Sequence, residues 1–359
     1  MKQWNSILVL AALVGLGACT KVEDAGAPEN IRYAVGRYAA STKAVYPEYR
    51  ATEGLDNFQS KAFFHAEGAA EGTEFFTSTI SWDGATWSPA QDYYWPKHPQ
   101  SYLNFVSWYA NDGSANITPD IVTETTFEIN DRTVGANDRI LVADEAWHQQ
   151  ANVTTYYTAG VPTLFRHVLS RVKVNMKATT LTDPEIANVT YEITLQSAKF
   201  QGIFQQGSMK LRNSTLSSAG TTQWTSSASS TYLWITASGS NTNEIAFVNS
   251  NTNIGTDNTA ILAERSFIPQ ALGDDIKMEL LYSVTTKSNG DITSTETDIP
   301  ATIIMNTIKN TSDVAITQWV PNKIYTYNIA INPVGKEILL NPIVEAEWTF
   351  EEDINVTVE

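Results

Sequence analysis

The residue with the most specific chemistry in this sequence is Cys19, the one cysteine among 359 residues. It follows Leu16-Gly17-Ala18, the small-residue pattern of a lipobox. In that arrangement the thiol takes a diacylglyceryl group, the peptide bond before it is cut, and the new amino terminus is acylated. Upstream, Lys2 gives a positive start and Ile7 to Leu16 is an apolar run. A membrane-spanning helix needs about 20 apolar residues, so a run this short with a processing site at its end reads as a secretory signal peptide over residues 1–18. Several acyl chains on one residue anchor a protein stably, at about 0.8 kcal/mol per buried methylene, whereas a single chain holds only marginally. The competing reading is an unmodified thiol in a secreted chain.

The other reactive side chains form no constellation. His65, His98, His148 and His167 are scattered without metal-ligand spacing, so each reads as an ordinary core or surface residue and no metal site is expected. There is no Gly-x-Ser-x-Gly nucleophile motif and no glycine-rich phosphate loop, hence no expectation of an enzyme or a cofactor. Asn289-Gly290-Asp291 has the composition of a hairpin turn more than of a calcium loop. Glu351, Glu352 and Asp353 read as a solvated face at the end of a strand. Ten tryptophans leave one binding chemistry open. Exposed Trp82, Trp87, Trp95 and Trp108 would stack on sugar rings and make the protein a surface glycan binder; buried, they are core.

Composition narrows the classes further. The formal net charge of −16 argues against nucleic acid and against a basic lipid-binding patch. Removing the signal leaves 341 of the 359 residues, more than one hydrophobic core serves comfortably, so two domains are expected. With the cysteine committed to lipid there are no disulfides, and stability must come from packed cores, for which 42% hydrophobic and 11% aromatic residues supply the material.

The elements that must position these residues are strands. Residues 19–30 carry charge, Gly, Ala and Pro without apolar period and read as a lipidated flexible tether. From Ile31, apolar and polar residues alternate through Ala39, predicting a strand that ends before the turn at Pro47. Short segments rich in Thr, Val, Ile, Tyr and Phe follow, separated by Gly and Pro, the pattern of an all-β, antiparallel β-sandwich. Val172, Val174 and Met176 share one face, and the opposite parity of Phe165, His167 and Leu169 predicts a break near Leu169–Ser170. Asp183-Pro184 suggests a boundary, giving an N-terminal sandwich over 31–180 and a C-terminal one over 181–359. Within the second, Tyr191, Ile193 and Leu195, then Met278, Leu280, Tyr282 and Val284, then Tyr325, Tyr327, Ile329 and Ile331 each form an inward stripe. The Ser/Thr/Asn-rich stretch 212–260 is expected to hold strands joined by long polar loops. The final residues alternate at Ile354, Val356 and Val358, a strand with nothing after it to lock it in place.

Several short motifs in order carry a likeness to a known family: Tyr49-Arg50-Ala51-Thr52, Leu103 to Tyr109, Asp138 to Ala143, Leu164 to Ser170, Arg265 to Gln270, Trp319 to Tyr327 and Ile343 to Trp348. The chain resembles the fimbrillin (Mfa-like) lipoproteins that build type V pili in outer-membrane bacteria. The resemblance implies two transthyretin-like β-sandwiches in tandem and an outer-membrane lipoprotein displayed at the cell surface. It further implies cleavage after Arg50 by an arginine-specific protease, release of a first strand lying within 31–49, and filling of the vacated groove by a terminal strand of another pilus subunit. Ile354, Val356 and Val358 are then the donor side chains, and a host or bacterial surface receptor is a further partner. Arg32 and Arg37 fall inside the expected strand and are poorer cut sites. The likeness does not distinguish stalk, anchor and tip roles.

Overall fold

The computed structural model describes residues 30–37, 55–97, 101–113, 115–124, 126–143, 146–149, 160–212, 233–238, 244–310, 312–335 and 337–345. Among these the regular structure is β, apart from a short 3-10 turn at Met305–Thr307. The all-β expectation is met.

The first half runs β1 (Tyr33–Arg37), β2 (Asn57–His65), β3 (Thr73–Trp82), β4 (Trp87–Pro89), β5 (Tyr102–Asn111), β6 (Ile121–Val122), β7 (Thr126–Thr133), β8 (Arg139–Ala143), β9 (Ala146–Gln149) and β10 (Val161–His167). Pairing proceeds β2-β3-β4-β1-β10-β8-β5, and β5 pairs back onto β2, so seven strands close a ring, with β9 attached to β5. Each of the seven sends side chains to one core: Tyr33 and Val35, Phe58, Phe76, Trp87, Val161 and Phe165, Leu141, and Phe105. Strands β5 and β8 are buried on both faces. Leu103, Phe105 and Leu141 point into the ring core, while Trp108, Ile140 and Val142 belong to a second cluster with Phe127, Ile129 and Met209. This two-sided burial is why those strands read as near-continuous apolar runs and not as clean alternations.

The second half contributes β11 (Ser170–Ala178), β12 (Val189–Gln201), β13 (Gln206–Arg212), β14 (Leu233–Ser238), β15 (Ile245–Val248), β16 (Thr252–Ile254), β17 (Thr259–Phe267), β18 (Gln270–Ala271), β19 (Lys277–Ser288), β20 (Asp291–Ile304), β21 (Gln318–Trp319), β22 (Ile324–Asn332) and β23 (Glu337–Glu345). One sheet has the order β17-β11-β22-β23, the other β15-β12-β19-β20 with β16 also on β12. Their inner faces share one core, in which Val172, Val174, Met176, Tyr327 and Ile329 meet Ile193, Leu195, Phe200, Met278 and Tyr282. The inward stripes expected at Tyr191–Leu195, Met278–Val284 and Tyr325–Ile331 are those that are buried. A register shift between Leu195 and Ser197 switches the inward parity of β12, so Ala198 and Phe200 continue the same core. Asn289 and Gly290 both have positive φ, 52° and 92°, making a two-residue hairpin turn between β19 and β20.

The chain division expected at residue 180 places Ser170–Ala178 with the first half. In the structure β11 pairs with β17 and β22, both from the second. The break predicted near Leu169–Ser170 is the passage between halves: β10 ends at His167 and β11 begins at Ser170, with Val168 and Leu169 buried between them. A third sheet, β14-β13-β7-β6, pairs a strand of each half, since β13 lies against β7 from Gln206↔Thr133 to Arg212↔Thr126. Strands β14 to β16 fall within the Ser/Thr/Asn-rich stretch, as expected of its described part.

Candidate functional site

The slot that β1 fills is the feature with functional geometry. The chain order makes β1 first and β10 last among the ring strands, and the two pair in parallel over five residues, from Tyr33↔Val161 to Arg37↔Phe165. On its other side β1 touches β4 through one pair, Tyr33↔Trp87. Additional main-chain bonds run from Ile31 N to Tyr93 O at 2.8 Å and from Val161 N to Arg32 O at 2.7 Å. β1 is therefore the strand that closes the ring, held firmly on one edge and lightly on the other.

Its side chains follow the period of a half-buried strand. Ile31, Tyr33 and Val35 are 1%, 5% and 5% exposed, while Arg32 faces solvent. The Tyr33 ring stands edge-on to Phe58 and Phe105, with centroids 5.6 and 5.8 Å away. Its hydroxyl donates to Ser60 Oγ at 3.0 Å, and Ser60 Oγ lies 2.8 Å from Ser107 Oγ across the directly opposed pair of β2 and β5. Burial pushes the Tyr33 phenol well above its ordinary pKa, the Ser60 hydrogen bond opposing in part. Gly160, at φ +81°, lets the chain approach this closely, because a Cβ there would sit 2.7 Å from the Tyr33 carbonyl carbon.

Burying three such side chains is worth about 6 kcal/mol, at roughly 2 kcal/mol each. That is comparable with the whole stability of a typical domain. The ring with an empty slot, showing unpaired edges on β4 and β10, is thus a high-energy species that any fitting strand would relieve.

The residues singled out from sequence as lipidation, cleavage and donor positions, Cys19, Arg50, Ile354, Val356 and Val358, lie outside the described residues. The four tryptophans of the sugar-platform reading do not form an exposed surface: Trp87, Trp95 and Trp108 are 5%, 4% and 7% exposed and pack in cores, and Trp82 is partly covered. Sequence reasoning missed Ser60 and Ser107. The signal was there, since each occupies an inward position in a strand whose neighbours two residues away, Phe58 and Ala62 or Phe105, are apolar. A serine in such a stripe requires a polar partner.

His65 is not idle either. It is fully buried, stacks on Tyr102 at 4.3 Å, and its Nε2 meets Glu124 Oε1, which also accepts from Asn104 Nδ2. Glu124 Oε2 takes the Gly72 amide at 2.9 Å. This cluster pins the segment before β7 to β2 and β5. Among the described residues no group of three or more His, Cys, Asp or Glu is arranged to hold a metal ion.

A fimbrillin-like family model matches residues 42–348. Among solved structures, the chain is similar to a fimbrial protein from Bacteroides vulgatus, with 15% identity, a TM-score of 0.55, and coverage of 89% of this chain and 100% of that one. It is also similar to the tip fimbrial protein Mfa3 from Porphyromonas gingivalis with C-terminal truncation, at 9% identity and a TM-score of 0.37, covering 82% and 94%. No curated protein matches the chain.

Proposed function

The chain belongs to the fimbrillin-like family, and from that premise we propose that it is a structural or adhesive subunit of a cell-surface fimbria, exported as a lipoprotein through Cys19, cut after Arg50, and polymerised by strand exchange. Its partners are then an arginine-specific protease, the outer membrane through the acyl chains, and other pilus subunits. The donor side chains are Ile354, Val356 and Val358.

The observation that carries this reading is β1. It is a buried, ring-closing strand that precedes Arg50 in the chain, so one cut after Arg50 separates it from the body, all the other described strands lying after the cut. The vacated slot offers what strand addition needs: main-chain groups on β10 and β4, and pockets for alternate side chains. The test is to incubate the full precursor with an arginine-specific protease. Wild type should yield a body starting at Ala51 and then ladders on a denaturant-free gel, whereas Arg50→Ala should stay intact and monomeric. A cleanly cut body that remains monomeric at high concentration overturns the assembly route.

A further inference from the structure

Strand exchange requires a vacated slot; it leaves open which strand the slot prefers. The pockets under β1 are unequal. Those of Ile31 and Val35 are apolar, while the central one, under Tyr33, is bounded by the edges of Phe58 and Phe105 and floored by the buried hydroxyls of Ser60 and Ser107. An aliphatic residue seated there takes one edge-on neighbour from each of the two rings and leaves the serine pair with one hydrogen-bonding neighbour fewer, in a place water does not reach. The segment read from sequence as the donor offers Ile354, Val356 and Val358 at alternate positions, with no tyrosine among residues 353–359.

Resting on the strand-exchange reading, we propose that the slot is selective: it takes a strand of a different subunit whose inward residues read aliphatic, tyrosine, aliphatic in preference to the 353–359 strand of a second copy of this chain, which enters only at high concentration. The selection is the kind that polar sites make well, since a site built around a hydroxyl penalises the ligand that lacks it.

The experiment uses the full chain with a specific protease site inserted after Tyr49, cut at will, and challenged with fluorescent peptides in mild denaturant. Peptides spanning Asn30 to Arg37 are compared as wild type, Tyr33→Phe and Tyr33→Val, together with the peptide 353–359. Wild type should bind tightest, the phenylalanine version roughly 5- to 10-fold more weakly. The valine version and the chain's own terminal peptide should be weaker by roughly 100-fold or more. In a body carrying Ser60→Ala and Ser107→Ala the tyrosine-over-phenylalanine preference should vanish while the aromatic-over-valine preference stays. Equal binding of all peptides overturns the selectivity and leaves exchange standing. Failure of every peptide to enter, wild type included, overturns both.

Discussion

Tyr33 concentrates the chemistry of the slot in one side chain. The folded state keeps its phenolic proton because burial disfavours the phenolate, so above about pH 10 the unfolded chain releases a proton that the folded one retains. Stability contributed this way is complete below about pH 10 and is lost as pH rises beyond it. Tyr327, buried in the second core and accepting from Trp319 Nε1 at 2.8 Å, behaves likewise. Tyr33→Phe is therefore expected to cost about 1 kcal/mol at neutral pH and to flatten the alkaline loss of the first half alone. Thermal unfolding of wild type and variant from about pH 8 to about pH 11.5 checks it; parallel curves would contradict the assignment. This residue shows what the sequence made legible. The inward stripe Ile31, Tyr33, Val35 is visible as alternation, and so is the parity break near Leu169. The partners of Tyr33 sit in two other strands, and no local pattern tells Ser60 to face Ser107. Pairing across 47 residues is a property of register, which the apolar period alone leaves unspecified.

At the scale of the element, β1 is defined by what stands beside it. Parallel contact with β10 is possible because the chain enters β10 through Gly160, whose missing Cβ leaves room for the Tyr33 backbone. Gly160→Ala places a side chain in a left-handed conformation and against that backbone, at a cost of about 3 kcal/mol, most of it borne by the β1 contacts. Amide exchange of Tyr33–Arg37 should then rise well above that of β5 or β8, with β11 and β22 unchanged. Uniform protection across all these strands would show that β1 does not open by itself. The strand expected from the alternation at Ile31 is, in the folded chain, buried along its inward stripe at Ile31, Tyr33 and Val35. The tryptophans are the converse case. As residue types they suit either a sugar face or a core, and only the two-sided burial of β5 and the closure of the ring decide for the core.

For the whole molecule, the decisive region is the junction between the halves. Arg171 Nη1 donates to Ser266 Oγ at 2.9 Å and reaches Ala136 O at 3.4 Å, Arg171 Nε pairs with Glu264 at 3.3 Å, and Ser266 Oγ donates to Asp138 O at 2.6 Å. Asn322 bridges from the second half, its Oδ1 accepting from the His167 amide and its own amide donating to Leu169 O. Four of the sequence motifs quoted above, those at Asp138, Leu164, Arg265 and Trp319, converge here, a convergence that spacing along the chain cannot reveal. Arg171→Met should cost about 2–4 kcal/mol and split unfolding into two transitions where the intact junction gives one. Calorimetry reads this directly, and a single unshifted transition would refute it. The passage from β10 to β11 has one more consequence. A strand seated in the slot runs alongside β10, the backbone then continues through two buried residues into β11, and β11 lies against β22, which carries β23 and the tail beyond it. In a fibre assembled as proposed, tension entering at the slot and leaving through the tail would load these paired strands lengthwise, sliding them past each other. Hydrogen bonds loaded so resist in parallel and do not peel open singly, which makes this short stretch of chain the tendon of the molecule.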